Sequence, residues 1–168
     1  VWLARSRLGT LRAVKIVSRE AFEDRKPFER EFKGIQRFEP ISRTHEGLVD
    51  ILQVGVTDGY FYYVMELADN AEGEKENRGQ GEREKIPSAP FPHFTSAVYV
   101  PRTLRVEQQR LGRLPVAECV RIARVLASAL AHLHRHNLVH RDVKPSNIIF
   151  VEGQPKLADI GLVADMSE

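Results

Sequence analysis

The dipeptide Asp58-Gly59 constrains the fold most, because it stands between two runs rich in β-forming residues, 48–56 and 60–67. Asp-Gly in such a place is a strong short-range signal for a β-hairpin, since both residues accept the positive φ angles of a tight turn. A second pair of β-rich runs, 1–5 and 11–17, predicts another hairpin near the start of the chain. The first 67 residues are therefore predicted to contain an antiparallel sheet.

One helix is predicted between these two hairpins. Pro27 suits the first turn of a helix, where its missing N–H costs nothing. At helical spacing after it, one face collects Phe28, Glu31, Phe32, Ile35 and Phe38. Glu31 is the only charged residue on that apolar face, which marks it as a candidate for a specific role.

Residues 69–99 break the pattern with a run rich in Glu, Lys, Arg and Gly, followed by three prolines. Few apolar side chains are available there to offset the entropy of ordering the chain. We predict a solvated, flexible insertion. A docking segment for a partner is the alternative interpretation.

A long core helix is predicted over residues 115–134, because apolar residues recur there every three or four positions: Val116, Val120, Ala123, Ala127, Leu130 and Leu133. Cys119 is expected to face the core as a small apolar residue. A third hairpin is predicted from runs 148–151 and 156–158.

Composition and charge narrow the function classes. The formal net charge is +2, with both signs mixed along the chain, so no basic stripe indicates nucleic acid as a partner. No apolar stretch approaches the ~20 residues that cross a bilayer. A single cysteine excludes an internal disulfide and is compatible with a reducing, cytoplasmic setting, which leaves open an anchor elsewhere in a longer protein.

The most informative motif runs from His140 to Asn147 with the sequence His-Arg-Asp-Val-Lys-Pro-Ser-Asn, and Asp159-Ile160-Gly161 follows it. The pair of motifs resembles the catalytic loop H-R-D-x-K-P-x-N and the D-F-G motif of protein kinases. The chain is similar to eukaryotic-like, bacterial-type serine/threonine protein kinases. We call residues 140–147 the catalytic loop below.

The resemblance implies an α+β, two-lobe kinase fold: an antiparallel N-lobe sheet with one helix, then the start of a helical C-lobe. It divides the chain into an N-lobe and hinge over 1–68, an insertion over 69–99 and the start of the C-lobe over 100–168. The glycine-rich loop before Val1 and the activation segment after Glu168 are expected to be missing. We therefore expect a truncated domain that is inactive by itself although its parent is active.

The resemblance also implies roles for the two motifs in transferring phosphate from ATP to Ser or Thr on protein substrates. Asp142 would be the catalytic base, and Lys144 would contact the transferring phosphate. Asn147 and Asp159 would each hold a Mg²⁺ ion. Taken alone, the two aspartates could equally be carboxylates that cap loops.

Further roles follow by resemblance in the N-lobe. Ala13-Val14-Lys15 resembles the strand whose lysine contacts the α- and β-phosphates and pairs with a helix glutamate. Glu31 is the preferred partner and Glu29 the alternative. The adenine would be held by the hinge and enclosed by apolar side chains, with these residues in contact: Val1, Ala13, Met65 as gatekeeper, Glu66, Ala68 and Ile149.

One residue of the two motifs departs from the family pattern, and two other functions compete with the resemblance. Ile160 replaces the usual Phe of D-F-G, which keeps an apolar plug but loses aromatic packing. A pseudokinase that binds without catalysis is one alternative, and Lys15, Asp142, Asn147 and Asp159 together argue against it. A small-molecule kinase is another, and the Lys144-Pro145 pair argues against that.

Overall fold

Four strands near the start of the chain form one antiparallel sheet. The structure is a computed structural model that describes residues 1–72 and 99–159, together with the backbone of 164–165. The strands pair in the order β1-β2-β4-β3, so both predicted hairpins are present and their inner strands meet. Their bounds are Trp2–Arg5 for β1, Leu11–Ser18 for β2, Ile51–Thr57 for β3 and Tyr60–Met65 for β4.

Helix α1, Arg25–Ser42, lies against this sheet. It begins two residues before Pro27, because the Asp24 carboxylate accepts a hydrogen bond from the Lys26 N–H and caps the first turn. Ile35 and Phe38 are fully buried, and the Phe28 and Phe32 rings pack on that of Phe61 at 5.3 and 5.1 Å between centroids, respectively. The predicted apolar face is therefore the face that meets the sheet.

The chain leaves β4 through residues 66–72 and returns through residues 99–103, and we call these two stretches together the hinge exit. They are joined by an antiparallel bridge between Asn70 and Pro101 and by a hydrogen bond from the Ala71 N–H to the Val100 carbonyl. The two ends of the predicted insertion, 69–99, are thus paired with each other. Residues 73–98 lie outside the described part of the chain.

Helix α3, Val116–Arg135, has the predicted length, but the face chosen from the sequence is only partly correct. Leu133 is buried as expected, together with Ile122 and Ala129, whereas Val116 and Val120 are 79% and 53% exposed. Apolar residues lie on two faces of this helix, and periodicity cannot rank them. Cys119 is exposed, so the expectation that it faces the core is also wrong.

Helix α2, Leu104–Leu111, was not predicted. The Thr103 hydroxyl accepts a hydrogen bond from the Val106 N–H and starts the helix, but only Glu107 is buried on it. A helix that buries so little apolar surface gives no strong periodic pattern.

Short strands complete the second half of the molecule and join it to the first. Strand β5, Leu138–Val139, pairs with β8, Ala164–Asp165, and β6, Ile148–Val151, pairs with β7, Gln154–Leu157. Leu157 exchanges backbone hydrogen bonds with Gly47 and Val49, which follow α1. Within the described residues, no helix is long and apolar enough to cross a membrane.

Candidate active site

A cleft of about 390 Å³ lies between the sheet and the second half of the chain. Strands β1, β2 and β4 contribute one wall, and the catalytic loop and β6 contribute the other. Every residue assigned to nucleotide binding from the sequence lines it: Val1, Ala13, Lys15, Met65, Glu66, Ala68 and Ile149. Asn147 and Asp159 line it as well, so residues from both halves meet in one cavity.

Lys15 projects from β2 into this cleft. Its Nζ lies 2.7 Å from Asp159 Oδ1 and 3.5 Å from Glu31 Oε1, so it joins the sheet, helix α1 and the segment that follows β7. Glu29, the alternative partner, instead lies beside Arg25, one turn earlier on the helix surface. Burial of the face that carries Ile35 turns Glu31 inward and leaves Glu29 outside.

The pKa values of Lys15 and Glu31 reflect both their burial and their charged neighbours. Burial lowers the pKa of Lys15, but the Tyr63 phenolate when ionised and the carboxylates of Asp159 and Glu31 together raise it above its ordinary value. Burial raises the pKa of Glu31 by more than the Lys15 charge lowers it. Because Lys15 Nζ lies 2.7 Å from Asp159 and 3.5 Å from Glu31, we infer that the Glu31 contact is the weaker one.

The catalytic loop holds Asp142 by contacts with its own neighbours. Asp142 Oδ2 accepts hydrogen bonds from Lys144 Nζ at 2.7 Å and Asn147 Nδ2 at 2.8 Å. Asn147 Nδ2 also donates to the Asp142 carbonyl at 2.9 Å. The hydrogen bond from Lys144, followed by that from Asn147, holds the pKa of Asp142 below its ordinary value, so this carboxylate is ionised at neutral pH.

His140 holds the catalytic loop from its buried side. It is 1% exposed, its Nδ1 accepts from the Asp142 N–H at 3.3 Å, and its Nε2 lies 3.1 Å from the Ala158 carbonyl. These partners assign the proton to Nε2. Burial lowers the pKa of His140 despite the opposing hydrogen bond to Ala158, so the ring is neutral.

Two residues beside the reacting groups have left-handed backbones that non-glycine residues rarely adopt. Arg141 has φ 61° and Asp159 has φ 59°. Such conformations persist only where the surroundings impose them. At Asp159 this turn accompanies the close contact of the carboxylate with Lys15.

Asn147 and Asp159 are suited to hold magnesium together with phosphate oxygens. The Asn147 amide nitrogen donates to Asp142, and its Oδ1 accepts from the Ser146 hydroxyl at 3.4 Å and keeps a second lone pair. The Asp159 carboxylate is 44% exposed in the cleft. Mg²⁺ prefers oxygen ligands and is usually bound through one or two side chains plus substrate phosphates. Within the described ranges, no group of three or more His, Cys, Asp or Glu residues forms a metal site by itself.

The structure also brings to the site three contacts that the sequence pattern did not indicate. Tyr63 is buried under Lys15 in the cleft, with Nζ 5.9 Å from its ring. Lys156 Nζ contacts the Glu66 carboxylate at 2.6 Å, ninety residues away along the chain. Tyr99 donates its hydroxyl to the Ala68 carbonyl at 2.9 Å. Each pair is distant in sequence, so no local spacing could have indicated it.

Comparison with known proteins agrees with this geometry. The sequence matches the protein kinase domain family over residues 1–168. It is 37% identical over 82 residues to serine/threonine-protein kinase AfsK of Streptomyces griseus, which is 48% of this chain and 10% of that protein. It is 31% identical over 144 residues to a serine/threonine-protein kinase of Phytophthora infestans, covering 84% of this chain and 28% of the relative.

A third relative extends over nearly the whole chain. A protein of Clostridium perfringens, named as a probable serine/threonine-protein kinase, is 28% identical over 168 residues, covering 99% of this chain and 20% of the relative. This chain spans less than a third of the length of each of these relatives. It belongs to the protein kinase domain family, and the predicted α+β kinase fold is confirmed. Its relatives named as serine/threonine-protein kinases include bacterial ones.

Proposed function

We propose that this chain contributes the nucleotide cleft and catalytic loop of an enzyme that transfers the γ-phosphate of ATP to Ser or Thr hydroxyls of protein substrates. The observation that carries the proposal is that Lys15, Asn147 and Asp159 line one cleft, while Asn147 also donates a hydrogen bond to Asp142, which does not itself line the cleft. A scaffold that only bound a partner would have no need to order an ionised carboxylate, a cation and an amide in this way.

In this proposal Asp142 accepts the proton of the attacking hydroxyl. Its hydrogen bonds from Lys144 and Asn147 fix the direction of the carboxylate before substrate arrives, which lowers the cost of reaching the reactive geometry. Lys144 Nζ, bound to the Asp142 carboxylate at 2.7 Å, would balance negative charge that spreads over the γ-phosphate oxygens in the transition state. Lys144 therefore both orients the base and stabilises charge.

Lys15 and Glu31 position the other phosphates. Lys15 would contact the α- and β-phosphates, and Glu31 would restrain the lysine from helix α1. Bound Mg²⁺, held by Asn147 and Asp159, would supply charge neutralisation at the phosphates. Lys15 also forms an ion pair with Asp159, so a bound nucleotide and its Mg²⁺ would replace part of that direct contact.

The adenine would lie between Val1 and Ala13 on one side and Ile149 on the other, with Met65 at the back of the cleft. Within the described residues, the Ala68 N–H and the Glu66 carbonyl have no hydrogen-bond partner. The proposal assigns the Ala68 N–H to adenine N1 and the Glu66 carbonyl to the 6-amino group. Recognition would then use backbone groups at the edge of an apolar slot.

The proposal is tested by replacing the base in the natural-length protein. Asp142→Asn keeps the shape and the contact with Lys144 but cannot accept the proton, so kcat should fall by about 10²–10⁴-fold with a smaller change in KM for ATP. Radiolabelled phosphate transfer from Mg-ATP to a Ser/Thr peptide library measures this. Asp58→Asn, in the exposed hairpin turn where Asn is equally suited, is the matched control and should keep wild-type turnover.

Wild-type protein that transfers no phosphate under any of these conditions, or an Asp142→Asn variant with near wild-type kcat, would contradict the proposal. Nucleotide binding without any transfer would favour a pseudokinase instead.

A double-mutant cycle tests the phosphate side of the site. Lys15→Met should lower kcat/KM by more than Glu31→Gln, because Lys15 has two carboxylate partners and Glu31 is the farther one. The double variant should cost less than the sum, with a coupling of about 0.5–3 kcal/mol. Glu29→Gln is the control, since Glu29 pairs with Arg25 on the surface. Strict additivity of Lys15→Met and Glu31→Gln, or an equal effect of Glu29→Gln, would reject the pairing.

A further inference from the structure

The carboxyl-terminal arm of the hinge exit places an aromatic residue against the nucleotide cleft. Tyr99, Pro101 and Thr103 line the cavity beside the hinge, although some thirty residues separate them from it in sequence. The bridge between Asn70 and Pro101 and the hydrogen bond from the Val100 N–H to Asn70 Oδ1 hold this arm in place. The cleft therefore has a side wall that comes from the far end of the insertion.

Tyr99 makes a specific contact with the hinge. Its hydroxyl donates to the carbonyl oxygen of Ala68 at 2.9 Å, and Ala68 itself is buried. Burial, followed by the nearby Asp69 carboxylate, raises the pKa of Tyr99 to about 12, so the hydroxyl keeps its proton and remains a donor across the physiological range. The Ala68 carbonyl is thus already engaged before any ligand enters.

The carbonyl that Tyr99 occupies lies next to the groups proposed to recognise the base. If adenine N1 accepts from the Ala68 N–H and the 6-amino group donates to the Glu66 carbonyl, the next position along that edge of the ring is C2. C2 then faces the Ala68 carbonyl, because this carbonyl belongs to the same residue as the N–H bound to N1. Adenine carries only hydrogen at C2, which forms at most a weak C–H···O contact with the carbonyl.

We propose that Tyr99 is a specificity-determining residue of the nucleotide site, whose hydroxyl occupies the Ala68 carbonyl and thereby selects purines without a 2-amino substituent. This inference rests on the proposed function. An amino group at C2 would need the Ala68 carbonyl as its acceptor, and it would compete there with a hydroxyl 2.9 Å away. The carbonyl oxygen has two lone pairs, so the hydroxyl weakens rather than abolishes the hydrogen bond that a 2-amino group could make there, and affinity falls accordingly.

The test compares ATP with its 2-amino analogue in the natural-length protein. Tyr99→Phe keeps the ring and frees the carbonyl, so kcat/KM for the 2-amino analogue should rise about fivefold relative to that for ATP, the value of one hydrogen bond of ~1 kcal/mol. The readout is the ratio of the two kcat/KM values, because a change that affects both nucleotides alike cancels in it. Tyr60→Phe, an exposed tyrosine at the start of β4, is the control and should leave the ratio unchanged.

Tyr99→Ala supplies a second measurement, because it removes the side wall as well as the hydroxyl. It should raise KM for both nucleotides and still shift their ratio in the same direction as Tyr99→Phe. If wild type turns over ATP and both Tyr99 variants keep its ratio, the inference is overturned and the proposed function stands. If wild type uses neither nucleotide, both fail together.

Discussion

The catalytic loop and the hinge exit both lie between the two halves of the molecule, but they are held in opposite ways. Side chains of the catalytic loop bond mainly within the loop, as Lys144 and Asn147 do to Asp142, although His140 also contacts Ala158, eighteen positions away. The hinge exit is held by residues more than eighty positions away, as when the Asp69 carboxylate accepts from the N–H groups of Glu152 and Gly153. The catalytic loop is restrained mainly by its own side chains, whereas the hinge exit is restrained by residues distant in the sequence.

This difference matters for the chemistry. A loop restrained by near neighbours keeps its geometry as long as the local motif is intact, which suits a group that must orient a base. A segment restrained by distant partners depends on how the two halves of the molecule meet. The proposed adenine contacts should therefore respond to changes far from the cleft more strongly than the Asp142 geometry does.

The largest effect on stability is expected at the ionic contact behind the hinge. Lys156 lies 2.6 Å from the Glu66 carboxylate, and the Lys156 and Glu66 side chains are only 14% and 16% exposed. Lys156→Met leaves that carboxylate without its cation, so the free energy of unfolding should fall by about 1–2 kcal/mol. KM for ATP should rise while kcat changes less, because Glu66 belongs to the hinge. Denaturant unfolding and steady-state kinetics measure the two.

Lys33→Met, on the exposed side of α1, is the matched control and should change neither quantity. The double variant Glu66→Gln with Lys156→Met should recover part of the lost stability, because it removes the unpaired charge. A loss from Lys156→Met no larger than that of the control would mean that the hinge exit does not depend on this contact.

The next effect concerns pH and the catalytic loop. Since burial holds the pKa of folded His140 below its ordinary value, the unfolded chain binds this proton more readily. The contribution of His140 is therefore fully present above about pH 6.5 and is lost as pH falls from there through the folded-state pKa. Wild type should lose several degrees of Tm between pH 8 and 5, and His140→Gln should lose less over that range.

His134→Gln changes an exposed histidine of α3 and should keep the wild-type dependence of Tm on pH. The other titrating groups are common to all three proteins, so they cancel in the comparison. Parallel pH curves for wild type and His140→Gln would show that the anchor of the catalytic loop does not titrate in this range.

The smallest effect is expected from removing residues 73–98 and joining the ends with a short glycine-serine linker. The ends are already paired through Asn70 and Pro101, so closing a shorter loop between them costs little. Tm and KM for ATP should stay close to wild type. Asp69→Ala provides the contrast, because it should lower Tm by removing the acceptor for Glu152 and Gly153. If the deletion unfolds the protein, or if Asp69→Ala leaves Tm unchanged, then residues 73–98 rather than the Asp69 contacts hold the hinge exit.

The same contrast explains which predictions from the sequence succeeded. The hairpin at Asp58-Gly59 and the inward face of α1 were predicted correctly, because turn chemistry and helical period are properties of adjacent residues. The contact of Lys15 with Glu31 was anticipated from the family resemblance, and the structure places the pair 3.5 Å apart. The buried face of α3 was predicted only in part, because Val116 and Ile122 are equally apolar and only the neighbouring elements decide between them.

By itself, the sequence predicted the two N-terminal hairpins with helix α1 between them, the long helix α3, the last hairpin and the residues of the catalytic loop, because each of these depends on residues close together in the chain. Only the tertiary structure decided that Asp159 is the closer partner of Lys15, that Lys156 reaches Glu66, and that Tyr99 contacts Ala68. The physical reason is that such contacts form between segments brought together by burial of a common core. Burial is non-directional, so the contacts that it creates between distant segments produce no periodic pattern in the sequence.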